Sequence, residues 1–408
     1  GPGYEQTNGL VHLAAGKSLE ILGGGSFEIN AGSFIMESTS DAYSSLIIKN
    51  FTKNGGEVVY NRWVNEAGTS AAPNTGNDLI SAPLGGIAWS KFKSEFDNNN
   101  TDVLLNDGGT APITYAFAPF DKTTGTFENY TSSEAGTLNL ISGKGYRVAV
   151  ASTSEGGATL EFEGDVQVGD INIQVFEGGP AFELWNLVGN PYPSYISASA
   201  FLDDATNDAT FAPSFKAIYG YNSGTYSGLA TTTNNSYVII NKAAIDFANN
   251  ENTGENFNIA PGQGFFIATD EIEANIANIK FTPAMRTKEG SDDYIQGRSA
   301  GPIYLLKLDM AYGNATNNSN FYFNNSSTLG LDPGYDAAAL GAASSQPLYS
   351  HLVEDNTGKP MAVQSLGIDA LTDVRIPLGV NAQAGLQLQF SINYSNLPED
   401  VEVYLEDT

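Results

Sequence analysis

The chain has 408 residues, which is too long for one ordinary hydrophobic core and fits two to four domains. It carries 18 Lys and Arg against 46 Asp and Glu, a formal net charge of −28, so it repels phosphate backbones and we expect no nucleic-acid partner. The absence of Cys excludes a disulfide framework, and no apolar run approaches the ~20 residues of a membrane span, so we expect no membrane insertion.

The composition predicts an all-β fold with few helices. The chain contains 44 Gly, 20 Tyr and 22 Phe, together with long stretches of Asn, Thr and Ser. Aromatic residues favour strands, whereas Gly, Asn and Asp favour the turns between them. Many short strands joined by turns are therefore expected throughout.

Residues 1–56 are predicted to form a small β-solenoid or a stacked meander. Four short stretches of alternating apolar residues each begin with a Ser, namely Ser18, Ser26, Ser33 and Ser45, and Gly or Asn clusters separate them. Such close spacing suits a solenoid in which each turn buries its apolar residues on the next. Two ordinary hairpins that lead into the next domain remain the alternative interpretation.

Residues 57–176 are predicted to form a first β-sandwich module. Aromatic residues alternate on both sides of a turn, at 115–120 and 126–130, which predicts a hairpin. Residues 90–96 are the only stretch of this module that suits a short helix. The strict alternation that runs from 161 to 175 predicts a hairpin that closes the module.

Residues 177–299 are predicted to form a second β-sandwich module with a linker, because they repeat the order of the first at a distance of about 100 to 120 residues. Three features recur: an apolar strand before a Pro turn (79–84 and 187–192), a Gly-Thr-aromatic hairpin (125–127 and 224–226) and a Gly-x-Gly-aromatic strand (143–148 and 262–267). We therefore expect two tandem modules that superimpose, in a rod-like arrangement.

Residues 300–408 are predicted to form a third β-sandwich module. Its first two strands lie at 303–310 and 320–324, on either side of a turn, and the segments 387–394 and 401–406 are expected to close it. An edge strand left without a neighbour in this module would favour association.

Several stretches carry a resemblance to a known family. Residues 185–194 and 259–267 resemble signatures of large cell-surface proteins of the Bacteroidota that the type IX secretion system exports. The solenoid-like segment and the stretches 334–337 and 403–408 are similar to regions of the same proteins. The resemblance implies an extracellular protein, attached to the outer membrane or secreted, that is cut before its C-terminal sorting domain. It indicates architecture rather than activity, because the family includes adhesins, gliding-related proteins and polysaccharide-active enzymes.

The sequence gives little support for catalysis. The two His residues, His12 and His351, lie in no metal-binding or triad spacing. The Gly-x-Gly motifs at 143–145 and 262–264 are followed by aromatic strand residues rather than by a helix, which predicts turn glycines and not a phosphate loop. Pairs of carboxylates that hydrolyse glycosides depend on a separation that sequence does not reveal.

Structural Ca²⁺ is the more credible chemistry for so acidic a chain. Ca²⁺ binds six to eight oxygen atoms, and two acidic turns offer carboxylates close together. The candidate ligands are Asp332 and Asp336 in one turn and Asp203, Asp204 and Asp208 in the other. Neither turn matches the EF-hand loop, so a solvated acidic turn is the alternative interpretation of each.

Aromatic side chains are the second candidate surface, because sugar rings stack on exposed Trp and Tyr. We expect Trp185 to be a core anchor, and we expect the Pro turn at 190–193 to lift Tyr192 or Tyr195 towards solvent. The candidate ligand-binding residues are Tyr192, Tyr195, Tyr219, Tyr221 and Tyr226.

Three functional hypotheses follow. The first is a non-catalytic adhesin or stalk that mediates attachment to glycans, surfaces or other cells, and the second is an array of carbohydrate-binding modules in a polysaccharide-degrading system. An enzyme is the third. Under the first two, the partner is an extracellular polysaccharide or another surface ligand, and the chain is expected to be a monomer.

Overall fold

The computed structural model describes residues 3–407 except 22, 66–76, 99–102, 106–110, 135, 151–155, 177–183, 222–236, 251–256, 270–276, 289, 291–302, 313–314 and 342. The chain forms two compact units. Unit 1 comprises Gly1–Phe211, Ile218–Thr225 and Asn256–Ile295, and unit 2 comprises Ala212–Ala217, Tyr226–Glu255 and Gln296–Thr408. Unit 1 holds the predicted solenoid-like segment, the first copy of the repeat and most of the second, whose residues 212–217 and 226–255 belong to unit 2.

The elements follow one another in this order. The first strands are β1 (Tyr4–Gln6), β2 (Leu10–Leu13), β3 (Ser18–Glu20), β4 (Ser26–Ile29), β5 (Ser33–Thr39), β6 (Ala42–Tyr43), β7 (Ser45–Ile47), β8 (Asn50–Lys53) and β9 (Glu57–Asn65). Then come β10 (Asp78–Ser81), α1 (Trp89–Asn98), β11 (Phe117–Asp121), β12 (Thr126–Phe127), β13 (Gly145–Val148), β14 (Gly157–Glu163), β15 (Ile171–Val175), β16 (Trp185–Gly189), β17 (Tyr195–Ser197), α2 (Ala198–Leu202), α3 (Ala205–Asp208) and β18 (Ile218–Tyr221). The remainder is β19 (Tyr237–Ile240), α4 (Lys242–Asn250), β20 (Asn258–Ile259), β21 (Gly264–Ala268), β22 (Ala277–Phe281), β23 (Arg286–Thr287), β24 (Tyr304–Tyr312), β25 (Ala315–Asn324), β26 (Ala337–Ala338), β27 (Leu348–Ser350), β28 (Met361–Gly367), β29 (Leu378–Val380) and β30 (Gln389–Ser395).

The fold is all-β, as the composition predicted. Strands and turns dominate the described residues, and the helices among them are short. The short helix expected at 90–96 is α1. Among these residues, no helix combines the length and the apolar character needed to cross a membrane.

The N-terminal segment is a parallel β-solenoid, so the hairpin alternative is wrong. Its strands stack in parallel in three sets, which are β1-β4-β8, β2-β5-β9 and β3-β7. Tyr4 lies opposite Phe27 and Phe27 lies opposite Phe51, so one turn of the solenoid takes 23 or 24 residues. The shorter distances between the Ser-led stretches in the sequence are distances between strands that lie on different faces of one turn.

Aromatic and amide side chains stabilise the stacking of these turns. The rings of Tyr4 and Phe27 stack with centroids 4.8 Å apart, and Phe51 continues the stack at 6.1 Å. At the corner, the Asn54 side chain donates to Asn30 Oδ1 at 2.7 Å, and Asn30 donates to Glu5 Oε1 at 2.9 Å. Successive turns are thus held by an aromatic contact and a side-chain hydrogen bond at corresponding positions.

The two copies of the repeat build sheets of the same order. In the first copy β10, β13 and β11 are adjacent antiparallel strands, and β12 pairs with β11 as the predicted hairpin. In the second copy β16, β21 and β18 are adjacent in the same way. The duplication expected from the sequence is therefore present in the strand order.

The predicted hairpin that closes the first copy is wrong. β14 pairs with β9, the first strand of the first copy, whereas β15, predicted to end the first copy, pairs with β22 near the end of the second. β9 is also the third-turn strand of the solenoid, since it pairs in parallel with β5. One hydrophobic cluster consequently joins Phe27 and Phe34 of the solenoid to Phe92 and Phe117 of the first copy, across the boundary predicted at residue 57.

The two copies contact each other through their Gly-x-Gly motifs, and each contact occurs twice. The N–H of Ser81 donates to Gly262 O at 2.7 Å, and the equivalent N–H of Gly189 donates to Gly143 O at 2.9 Å. Gly143 and Gly262 both have positive φ, 84° and 63°, which confirms them as turn glycines. Equivalent residues thus make equivalent contacts, as in a two-fold symmetric dimer.

Unit 2 contains a seven-stranded sheet with the order β29-β27-β28-β25-β24-β30, in which β26 also pairs with β28. β24 and β25 form the predicted antiparallel pair, β25 and β28 are parallel, and α4 packs its Phe247 ring 5.2 Å from that of Tyr322. The closing strand predicted at 387–394 is β30, which pairs with β24. Residues 401–406 form no strand, contrary to the prediction.

Candidate functional site

The facing sheets of the two copies in unit 1 enclose a layer of aromatic rings. Phe120 and Phe127 lie opposite each other on β11 and β12, with ring centroids 5.4 Å apart. Both meet Phe266 of β21, at 5.0 Å and 6.4 Å, in edge-to-face geometry. Phe266 is buried, whereas Phe120 and Phe127 are only half-buried, so this end of the layer reaches solvent.

Arg147 completes this end of the layer. It lies on β13 and its guanidinium carbon is 4.4 Å from the centroid of the Phe127 ring. One N–H donates weakly to Asn129 Oδ1, at 3.5 Å. Burial lowers the pKa of the Arg147 guanidinium, and the electrostatic effect of Tyr221 opposes that shift in part.

Tyr221 lies on the same face as these residues. It follows Tyr219 by two positions on β18, and Tyr219 lies opposite Phe266. Its side chain is half-buried. We call the half-buried residues Phe120, Phe127, Arg147 and Tyr221 the aromatic-arginine patch.

The patch combines the two features that a sugar-binding surface needs. Half-exposed ring faces stack on the apolar C–H faces of a sugar, and a guanidinium donates hydrogen bonds to hydroxyl or acidic groups. The platform beneath is rigid, because β11, β12 and β13 are consecutive strands of one sheet. Such an arrangement is suited to contact and orient a ligand.

Three of the tyrosines predicted to bind ligand are buried. Tyr192 and Tyr219 are 0% exposed and Tyr195 is 2% exposed, so the expectation that the Pro turn lifts Tyr192 or Tyr195 to solvent is wrong. The Tyr192 hydroxyl is within hydrogen-bonding distance of Gly169 O and Phe281 O, at 2.8 and 2.9 Å. The Tyr195 hydroxyl accepts from Tyr43 N at 3.3 Å.

Tyr219 packs edge-on against the expected core anchor, Trp185, at 4.8 Å. Burial raises the pKa of Tyr219, as it does that of Tyr192, which agrees with a core position. Of the five predicted residues, Tyr221 alone joins the patch. Tyr226 lies outside the described residues.

The predicted Ca²⁺ ligands of unit 2 bind backbone amides. Asp336 is fully buried, and its two carboxylate oxygens accept from the N–H groups of Asp332, at 2.6 Å, and Ser365, at 2.7 Å. The Asp332 carboxylate accepts from the N–H and the hydroxyl of Thr328. Desolvation raises the pKa of Asp336 to about 7, against the opposing effect of these two amide donors.

The acidic turn of unit 1 caps two short helices. Asp204 is the N-cap of α3 and accepts from Thr206 N at 2.9 Å, while Asp203 is the C-cap of α2 and accepts from the Ser199 hydroxyl. Asp208 is the last residue of α3. Across the part of the chain that the structure describes, no three His, Cys, Asp or Glu side chains are grouped to hold a metal ion. Ca²⁺ binding stays a prediction.

Three residues of the patch were not predicted from the sequence, namely Phe120, Phe127 and Arg147, although the repeat contains a signal for Arg147. In the repeated motif, residues 143–147 read Gly-Lys-Gly-Tyr-Arg and residues 262–266 read Gly-Gln-Gly-Phe-Phe. The second copy has an aromatic residue where the first has Arg147. A charged residue at a position that can be apolar is a sign of binding rather than of packing.

No curated protein and no solved structure matches this chain. One family of domains does match, over residues 6–408, and its description assigns no function. That match covers both units, the solenoid and the two copies of the repeat. The chain therefore belongs to DUF8693, a family defined as a domain of unknown function.

Proposed function

We propose that this chain is part of a non-catalytic extracellular surface protein, an adhesin or stalk, that attaches to glycans through the aromatic-arginine patch. The observation that carries the proposal is the cluster of half-buried Phe120, Phe127 and Arg147 side chains on one sheet. The duplicated sheets and the solenoid act as scaffold. The resemblance to exported surface proteins of the Bacteroidota supports the cell-surface location.

The surroundings of the two His residues and of Asp336 favour this proposal over an enzyme. His12 is exposed and pairs with Glu37 at 2.8 Å, and His351 packs its ring against Tyr349. Neither His ring forms a hydrogen bond to a hydroxyl group within the described residues. The buried Asp336 carboxylate is held by backbone amides, which leaves it poorly placed to meet a substrate.

Replacing Phe127 tests the proposal. The experiment screens the wild-type chain on a glycan array, and then measures the affinity of Phe127→Ala for the glycans retained. We expect the variant to bind at least about fivefold more weakly, because an aromatic stacking contact contributes roughly 1 kcal/mol. Tyr404→Ala is the matched control, since Tyr404 is a highly exposed ring in unit 2. Equal affinities of Phe127→Ala and wild type would contradict the role of the patch.

A further inference from the structure

Arg147 is a half-buried cation that forms no ion pair with any acidic side chain among the described residues. Its contacts among the described residues are the Phe127 ring and the weak hydrogen bond to Asn129. Lys53, Lys91 and Lys280, by contrast, each form an ion pair with an Asp or Glu. The chain has 46 acidic residues, yet this guanidinium pairs with none of those that the structure describes. Its remaining N–H groups, beside an aromatic ring, can donate hydrogen bonds to an anionic ligand.

The second copy of the repeat shows that packing does not require Arg at this position. Arg147 lies between Leu79 and Ala118 in its sheet, and Phe266 lies between Leu187 and Tyr219 in the equivalent sheet. Phe266 is 4% exposed, so the position accepts an apolar side chain. Burial lowers the pKa of Arg147, which shows that the environment opposes the charge. A residue that lowers the stability of the folded state, and is present all the same, is expected to contribute to binding.

Two acidic residues, Glu128 and Asp121, directly follow the Phe residues of the patch in sequence. Glu128 lies just beyond the end of β12, between Phe127 and Asn129, and it is exposed, whereas Phe127 and Asn129 both contact the guanidinium. Asp121 follows Phe120 by one position in β11, and successive side chains of a strand alternate between its two faces. Asp121 also binds the hydroxyl and the backbone of its own turn, at Thr124 and Thr123. In the part of the chain that the structure describes, the Arg147 guanidinium thus contacts aromatic and amide side chains and no acidic group.

We propose that Arg147 binds a carboxylate of the ligand, and that the ligand class is a glycan built from uronic acids. The free guanidinium N–H groups donate to the carboxylate, while Phe127, Phe120 and Tyr221 contact the sugar rings. This inference rests on the proposed function and specifies its substrate class. The remote negative charges of the chain oppose binding little in physiological salt, where the Debye length is about 8 Å.

The test uses a uronic acid oligosaccharide and the same oligosaccharide with its carboxylates methyl-esterified. Calorimetric titration of the full chain at 150 mM NaCl, roughly physiological ionic strength, gives both affinities. We expect the free acid to bind at least about tenfold more tightly than the ester, as for a charge-assisted hydrogen bond. Arg147→Met is expected to remove that preference while it still binds the ester. Because Phe266 occupies the equivalent position, this variant is expected to have an unchanged or higher melting temperature.

Arg375→Met is the control, since it makes the same change in net charge at an exposed Arg of unit 2. It is expected to keep the preference for the free acid. Equal affinities of wild type for acid and ester, an acid preference that survives in Arg147→Met, or binding of sulfated but not carboxylated oligosaccharides would each overturn the inference. If the ester still binds in a Phe127-dependent way, the proposed function stands without it. If no glycan binds at all, both fall.

Discussion

Asp336 illustrates how a single acidic side chain can be misjudged from sequence. Two carboxylates around a Gly turn suggested a cation site, but in the structure the Asp336 carboxylate fastens the turn at 332–336 to strand β28. Its oxygens satisfy two backbone N–H groups in the interior. Buried amides need acceptors, and a short acidic side chain supplies two at once.

The raised pKa of Asp336 predicts a pH dependence of stability. The pKa is about 7 in the folded protein and ordinarily 3.8, so the folded state binds the proton more tightly than the unfolded state. The contribution to stability is full below pH 3.8 and is lost as the pH rises through 7. We expect the free energy of unfolding of wild type, measured relative to Asp336→Asn, to fall between pH 5 and pH 8.

Urea denaturation of both proteins across this range measures the difference. Asp203→Asn, at an exposed helix cap, controls for the loss of one charge. A wild-type advantage over Asp336→Asn that stays constant from pH 5 to pH 8 would show that the carboxylate stays ionised throughout that range.

At the scale of elements, the repeat depends on strands that cross very closely. A Cβ on Gly264 would lie 2.8 Å from both Ile80 N and Leu79 C, and a Cβ on Gly145 would lie 2.5 Å from Leu187 Cγ. These two glycines are equivalent in the two copies. Backbone atoms cannot rotate away from such a contact as a side chain can, so the position excludes every residue except Gly.

Gly264→Ala is therefore expected to destabilise unit 1 by about 2–3 kcal/mol, a value typical of overpacking. Gly136→Ala is the matched control, because a Cβ on Gly136 would meet nothing within 4 Å. We expect the control to change the free energy of unfolding by less than about 0.5 kcal/mol. Chemical denaturation of the two variants compares them directly, and similar values for both would disprove the close crossing.

The elements that sequence predicted well are those that local pattern determines. The hairpin β11-β12, the helix α1 and the pair β24-β25 follow from alternation and turn residues close together in the chain. The partners of β14 and β15 could not be predicted, because a strand with suitable alternation pairs equally well with a neighbour or with a distant strand. The partners of these two strands depend on contacts between residues far apart in the sequence.

The candidate site was harder to predict than the fold for the same reason. Tyr192 follows a Pro turn that would be exposed in an isolated module, but its hydroxyl reaches Gly169 O and Phe281 O on other segments. Phe120 and Phe127 were recognised as hairpin partners, whereas their contact with Phe266 arises only when the two copies meet. Which side chains are buried and which are exposed at this surface depends on how the sheets of the two copies pack together.

For the whole molecule, the dominant property is the net charge of −28. Self-repulsion on this scale destabilises the folded state at low ionic strength, and screening relieves it. We expect the melting temperature to rise between low salt and about 0.15 M NaCl. The Ca²⁺ site predicted from the sequence would make CaCl₂ at the same ionic strength raise it further, whereas carboxylates of Asp204, Asp332 and Asp336 that only accept hydrogen bonds from their own chain would leave the two salts equal.

Thermal unfolding in the two salts distinguishes screening from specific binding. A larger rise in CaCl₂ that disappears in Asp336→Ala would restore the cation site predicted from the sequence, since specific binding adds about 2.7 kcal/mol at 100 times Kd. If the melting temperature of Asp336→Ala rises in CaCl₂ as much as that of wild type, the cation binds at a site that does not include Asp336.

The reciprocal contact between the copies also determines which positions are free to diverge after a duplication. Gly143 and Gly262 each accept a hydrogen bond from the opposite copy, so a change in either motif disturbs the partner strand as well as its own. Positions 147 and 266 are different, because Phe266 fills the layer between the sheets while Arg147 lies at its open end. One copy can preserve the packing while the other acquires a new ligand contact. Duplication in this chain thus separates the residues that keep the fold from those that evolution can adapt to a new ligand.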